Sequence, residues 1–124
     1  MGNYLPTPIA TLFYRFLGLK IGKNSFVSGT ICDPHLVKIG NNSYTGYRST
    51  LVPHIMEDEF LSHIPIQIGN HVTIGAGSTI LAGVEIDDYA IIGAQSLVRK
   101  NTKIGKYEIW GGVPAKKIST RNVK

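Results

Sequence analysis

Cysteine is nearly missing from this chain. Cys32 is the only one in 124 residues, so no intramolecular disulfide can form, and a reducing, cytoplasmic setting is the expectation. Charged residues are also sparse at 17%, against 43% hydrophobic, which excludes the charge-dense, apolar-poor composition of a disordered chain. No apolar run is long enough to cross a membrane as a helix, and no secretory leader pattern is visible. The net charge of +5 is modest and comes without a nucleic-acid-binding motif, so a nucleic-acid partner is not expected. A length of 124 residues supports one domain.

What is present is a rhythm. Ile21, Val27, Ile39, Leu51, Ile68, Ile74, Ile80, Ile86, Ile92, Val98, Ile104 and Trp110 keep a step of six or a multiple of it, apart from one slip before Ile68. Glycine often follows directly, as at Gly22, Gly40, Gly69, Gly75, Gly93, Gly105 and Gly111. Six is neither the 3.6-residue period of a helix nor the alternation of one long strand, so it predicts short extended segments joined by turns. The fifth place of nearly every hexad is small or β-branched: Ser25, Ile31, Val37, Ser43, Ser49, Val72, Ser78, Val84, Ala90, Ser96 and Thr102. Residues an even number apart on an extended segment face the same way, so the first and fifth places can both line a narrow interior. The glycine of the second place is expected to release the backbone at or near a corner.

Two segments depart from the rhythm. Ile9, Leu12, Phe13, Phe16 and Leu17 fall on one helical face, with Pro8 near its start and Gly18 at its end, which predicts a short amphipathic helix whose apolar stripe covers the open end of the stack; docking on a membrane surface is the lesser alternative, since Arg15 and Lys20 supply little basic charge for an interfacial anchor. From Leu51 to Ile68 the interval is seventeen, so beyond the hexad ending at Met56 eleven residues, about 57–67, must loop out. Long ordered loops on rigid repeats are commonly functional. The expected organisation is a capping segment at 1–20, a repeat body at 21–118 with its loop at 57–67, and a tail at 119–124.

Of four histidines, His71 sits at the fourth place of a hexad and reads as a surface residue. His54 stands at the mouth of the loop, where an imidazole with a reference pKa near 6.5 can take a proton from a hydroxyl or amine. Two readings are open for Asp33, which by hexad count occupies an inward place one coil below Leu51: it lines an acceptor pocket, or it caps a corner. The late cations, among them Arg99, Lys100, Lys103, Lys116 and Lys117, read either as a solvated face or as a site for a polyanionic cofactor.

From about Phe16 to Ile118 the chain resembles the hexapeptide-repeat acyltransferases, in particular the maltose and galactoside acetyltransferase-like branch and related β-helix domains at the ends of nonribosomal peptide synthetase-like proteins. The carriers are Leu17 to Gly22, Asp33 to Gly40, His54 to Asp58, and Trp110 to Lys116. The resemblance implies an all-β fold, a left-handed parallel β-helix of three hexads per coil, with a short N-terminal capping helix and one extruded loop. It implies an acetyltransferase that carries acetyl from acetyl-CoA to a hydroxyl or amine of a small acceptor, with no metal, as a homotrimer whose sites lie between neighbouring coils. His54 matches the general base, and Glu57 or Asp58 would orient it. Coenzyme A would lie along Gly75, Gly93, Trp110, Gly111, Gly112, Pro114, Ala115 and Lys116, and the acceptor near Asp33 and Asp58. Sugar acetyltransferases usually place proline after this histidine, whereas Ile55 follows here, so the acceptor class stays open.

Two rivals share the fold. A noncatalytic assembly or binding module needs neither the loop histidine nor the Gly112 to Lys116 ending. The γ-class carbonic anhydrases bind zinc through a histidine pair four residues apart plus a third, whereas His54, His63 and His71 are spaced by nine and eight.

Overall fold

The computed structural model describes residues 7–57 and 60–121. After one helix, Thr7–Phe16, the chain winds through three parallel sheets in rotation. The first sheet takes Lys20–Ile21, Val37–Ile39, Ile66–Ile68, Glu85–Ile86 and Lys103–Ile104; the second takes Phe26–Val27, Tyr44–Thr45, Thr73–Ile74, Ile91–Ile92 and Glu108–Gly111; the third takes Thr30–Ile31, Thr50–Leu51, Thr79–Ile80 and Leu97–Val98. Most strands are two residues long because only two separate consecutive bends, and in nearly every pair the second residue points inward.

The expected ladders form. Ile86 pairs with Ile68 and Ile104, Ile92 with Ile74 and Trp110, and Ile80 with Leu51 and Val98. Most of their side chains are buried, as are Val72, Val84 and Ala90 from the fifth place; Trp110 is half-buried. Each fully buried aliphatic side chain contributes about 1.5–3 kcal/mol by leaving water. Serines at the fifth place stay satisfied in the narrow lumen by donating to backbone carbonyls: Ser25 to Gly40, Ser43 to Gly69, and Ser78 and Ser96 to Gly93.

The corner lies elsewhere than expected. Positive φ falls at the fourth place, on Asn24, Asn42, Arg48, His71, Gly77, Gly83, Tyr89, Gln95, Asn101 and Tyr107, not on the second-place glycines. Asn at three of these suits the left-handed region. At Gly22, Gly40 and Gly69 the reason for glycine is crowding: a Cβ there would strike the side-chain oxygens of Asn41, Asn70 and Asp88. Those oxygens accept the backbone N–H of the coil below, from Lys23, Asn41 and Asn70 at 2.7–2.8 Å, and so staple the coils together.

Four further expectations need correction. The residue beneath Leu51 is Ile31, not Asp33. The first coil reaches its third sheet two residues early and recovers them in a single 3-10 turn, Pro34–Leu36, entered from Asp33 in the left-handed region. The excursion starts earlier than Glu57: His54–Glu57 and Phe60–His63 form an antiparallel hairpin, and Gln67 already lies in the first sheet beside Lys38 and Glu85. The helix meets the coil through the opposite face from the apolar stripe. Thr11 is buried and accepts the backbone N–H of Val27, and Tyr14 packs against the core, while Ile9, Leu12, Phe13, Phe16 and Leu17 are exposed. At the far end, Lys116–Thr120 doubles back antiparallel on Glu108–Gly111, so the strand runs past residue 118 into the expected tail.

Candidate active site

The site begins with the departure from six. Cys32 donates to the carbonyl of Leu51, continuing the pairing of Ile31 with Leu51, and the next residue, Asp33, brings its carboxylate to His54. The Asp-Pro step explains why. Proline suits the first turn of a helix, and the turn is closed by the N–H of Leu36 on the carbonyl of Asp33. On the other side, Val52 donates to Ile80, and Pro53 accepts from Ile64, which clamps the base of the hairpin where His54 starts.

His54 Nδ1 and Asp33 Oδ2 are 3.0 Å apart. An ionised carboxylate only accepts, so Nδ1 is the donor of this bond, and in the neutral ring Nε2 is then the nitrogen with the lone pair. The side chains of His54 and Asp33 are 38% and 35% exposed, open enough to be reached yet partly held by the fold. His63 lies directly across the hairpin from His54, with ring centroids 6.2 Å apart. Glu57 or Asp58 is the carboxylate expected beside His54. Asp33 supplies one, and the two-residue slip that carries it there is invisible to a count by hexads, although Asp33-Pro34 itself signals a capped turn. Asp58 lies outside the described residues, and Glu57 is described in its backbone alone. His63 could have been found only by folding the loop on itself as a hairpin.

The residues expected to meet coenzyme A gather at a different corner. Gly75, Gly93 and Gly111 stack one above another where the second sheet turns toward the third, linked by Gly75 N–H to Ile92 O and Gly93 N–H to Trp110 O. In this column a Cβ at Gly75 would strike the backbone of Ala94 in the next coil and one at Gly111 the side chain of Ile118, whereas Gly93 has room for one. Gly112, Pro114 and Ala115 close the column's upper end against the third sheet: Leu97 N–H donates to Gly112 O, and Ala115 N–H to Leu97 O. Lys116 is exposed just beyond. Trp110 Nε1 donates to Glu108, whose carboxylate also accepts from Gly105 N–H and faces Lys117 at 3.3 Å. Those hydrogen bonds, first from Trp110 and then from Gly105, hold the Glu108 pKa below the usual carboxylate range. His54 instead sits where the third sheet gives way to the first, so one chain does not bring its imidazole and its glycine column together. Among the described residues, no three His, Cys, Asp or Glu side chains converge as metal ligands.

Three parallel sheets taken in rotation, with most pairings eighteen residues apart, are the architecture the hexad rhythm predicts, and the chain is similar to hexapeptide-repeat proteins. The family description "Bacterial transferase hexapeptide (six repeats)" matches residues 65–100. The chain is 36% identical over 118 residues, 89% of its length, to YvoF of Bacillus subtilis (strain 168), which bears the name of a candidate acetyltransferase. Among solved structures it is similar to a maltose O-acetyltransferase from Clostridium difficile 630, with a TM-score of 0.77 and 25% identity over 86% of this chain. A second is a hexapeptide-repeat acetyltransferase from Vibrio cholerae O1 biovar eltor complexed with acetyl-CoA, with a TM-score of 0.76 and 22% identity over 85% of this chain. The chain spans 65%, 60% and 62% of these three proteins, in that order.

Proposed function

We propose that this chain is an acetyltransferase that moves acetyl from acetyl-CoA to a hydroxyl or amine of a small acceptor, in a homotrimer of left-handed coils. The observation that carries the reading is the Asp33–His54 pair at 3.0 Å, which leaves Nε2 of a half-exposed imidazole as a free base at the root of the hairpin. His54 Nε2 takes the proton of the acceptor as its oxygen or nitrogen attacks the thioester carbonyl. Backbone N–H groups stabilise the oxyanion. The C–S bond then breaks, the imidazolium returns the proton to the departing thiolate, and no acetyl-enzyme forms.

Coenzyme A fits the other corner. The extended pantetheine would run along the corner of Gly75, Gly93 and Gly111, and exposed Lys116 just beyond it offers a charge to phosphate. Because the two corners lie apart in one chain, the complete site takes His54 from one protomer and the glycine column from the next. Glu57, whose backbone pairs with Phe60 far from the root of the hairpin, would meet the acceptor together with Asp58.

The test uses acetyl-CoA and a panel of sugar, amino-sugar and other small acceptors, following release of free thiol. Wild-type protein should be stabilised by acetyl-CoA and should release thiol with at least one acceptor. His54→Ala should lose about 10²–10⁴-fold in kcat while keeping the thermal shift with acetyl-CoA. Full activity in His54→Ala would remove the imidazole from the mechanism; no thermal shift in either protein would favour a noncatalytic module.

A further inference from the structure

We propose that the N-terminal helix docks the protein on an anionic lipid surface, lying flat with its apolar stripe in the headgroup boundary. The helix is amphipathic in the reverse sense to a buried one. Its inward face is Thr11 and Tyr14, and its outward face is Ile9, Leu12, Phe13 and Phe16, exposed by 53%, 63%, 51% and 85%. These four and Arg15 line one continuous, nearly all-apolar depression. Isolated exposed apolar residues need no explanation, but a contiguous patch of four large ones on a single helix face marks an interaction surface.

Charge selects the partner. From residue 7 to residue 32 the sequence holds Arg15, Lys20 and Lys23 and no Asp or Glu. All three cations are exposed, and Arg15 and Lys23 share a groove with Leu12 at the edge of the stripe. Apolar insertion rimmed by cations is the pattern of interfacial helices on anionic bilayers. A second copy of the chain fits less well, because a two-fold contact through this face would bring the same cations together with no acid to answer them. Ten residues of helix reach about 15 Å, half a bilayer's hydrocarbon core, so the helix lies on the surface and does not span it. The flat docking would hold the solenoid by its first coil and leave the hairpin and glycine column free.

The experiment is flotation of the full chain with vesicles of equal parts phosphatidylglycerol and phosphatidylcholine, and with phosphatidylcholine alone, at low and high salt. Expected is binding to the anionic vesicles that weakens in salt. The double variant Phe13→Ser, Phe16→Ser should bind about tenfold or more weakly, and Arg15→Glu with Lys20→Glu should also lose binding. Phe16→Trp, which keeps the apolar bulk, should retain it. Each variant is checked for an unchanged melting curve, as exposed positions allow. Failure of the wild type to float, or flotation indifferent to the Phe13 and Phe16 changes, overturns the proposal. So does a drop in the solution mass of the double variant by light scattering, which would assign the face to contact between copies.

Discussion

Above Ile66 and below Leu51 the same solenoid is built by two different standards. From Gln67 to Ile109 every parallel pairing steps by eighteen residues: Gln67 with Glu85, Thr73 with Ile91, Thr79 with Leu97, Glu85 with Lys103, Ile91 with Ile109. In the earlier coils the step varies. Phe26 meets Tyr44 at eighteen, Thr30 meets Thr50 at twenty, and Val37 meets Ile66 at twenty-nine. The regular part concentrates the aliphatic ladder, and the irregular part supplies Asp33, His54 and His63. Repetition makes core because each coil only has to match its neighbour. Chemistry needs side chains from different coils to converge outside the lumen, which strict repetition cannot do, so the insertions carry it.

The contrast is broken most forcefully from the regular side. Ile80 is fully buried between Leu51 and Val98, and Ile80→Ala should cost about 2–5 kcal/mol, read as a large fall in the denaturation midpoint. The folded fraction should still bind acetyl-CoA and transfer. If Ile80→Ala left stability unchanged while abolishing transfer, the division between a core-making and a site-making region would be wrong.

A smaller effect is expected from the irregular side. Asp33→Asn keeps the size of the side chain and a hydrogen-bonding atom near His54 Nδ1, but it removes the charge and permits the wrong tautomer. Loss of about 10–100-fold in kcat, with KM for acetyl-CoA little changed, is the expected split. Stability should hold, since an exposed pair contributes about 0–1 kcal/mol. A melting point that falls while kcat holds would make Asp33 a structural cap of its turn.

The same division explains what could be read from residues alone. The ladders through Ile68, Ile74, Ile80 and their partners follow from counting, because a period of six fixes both which residues face inward and which stack. The placement of Asp33 could not be counted, since it depends on how many residues the Pro34–Leu36 turn absorbs. His54 was legible as a residue at the mouth of an insertion, but its partner was not, because the partner comes from the previous coil. The helix was legible as an amphipathic segment over Ile9 to Leu17, whereas its orientation was decided by Thr11 accepting from Val27 and Tyr14 reaching the core. A pattern of apolar spacing gives the existence of a face, not the side on which it is used.

The smallest effect belongs to the closing end of the regular region. Glu108 accepts from Trp110 Nε1 and Gly105 N–H and faces Lys117, tying the last coil to the strand that doubles back. Its folded pKa is lowered, so the ionised form binds these partners more strongly than the protonated form does. The stability this adds is fully present above the ordinary carboxylate pKa of the unfolded chain and is lost as pH falls through the lowered folded value. Glu108→Gln keeps an acceptor oxygen but no charge, and should cost no more than about 1 kcal/mol at neutral pH. The gap in melting temperature between wild type and Glu108→Gln should therefore be open at pH 7 and close in acid, below the lowered pKa. A gap of equal size at both ends would assign the effect to packing around the Trp110 contact and not to the carboxylate's charge.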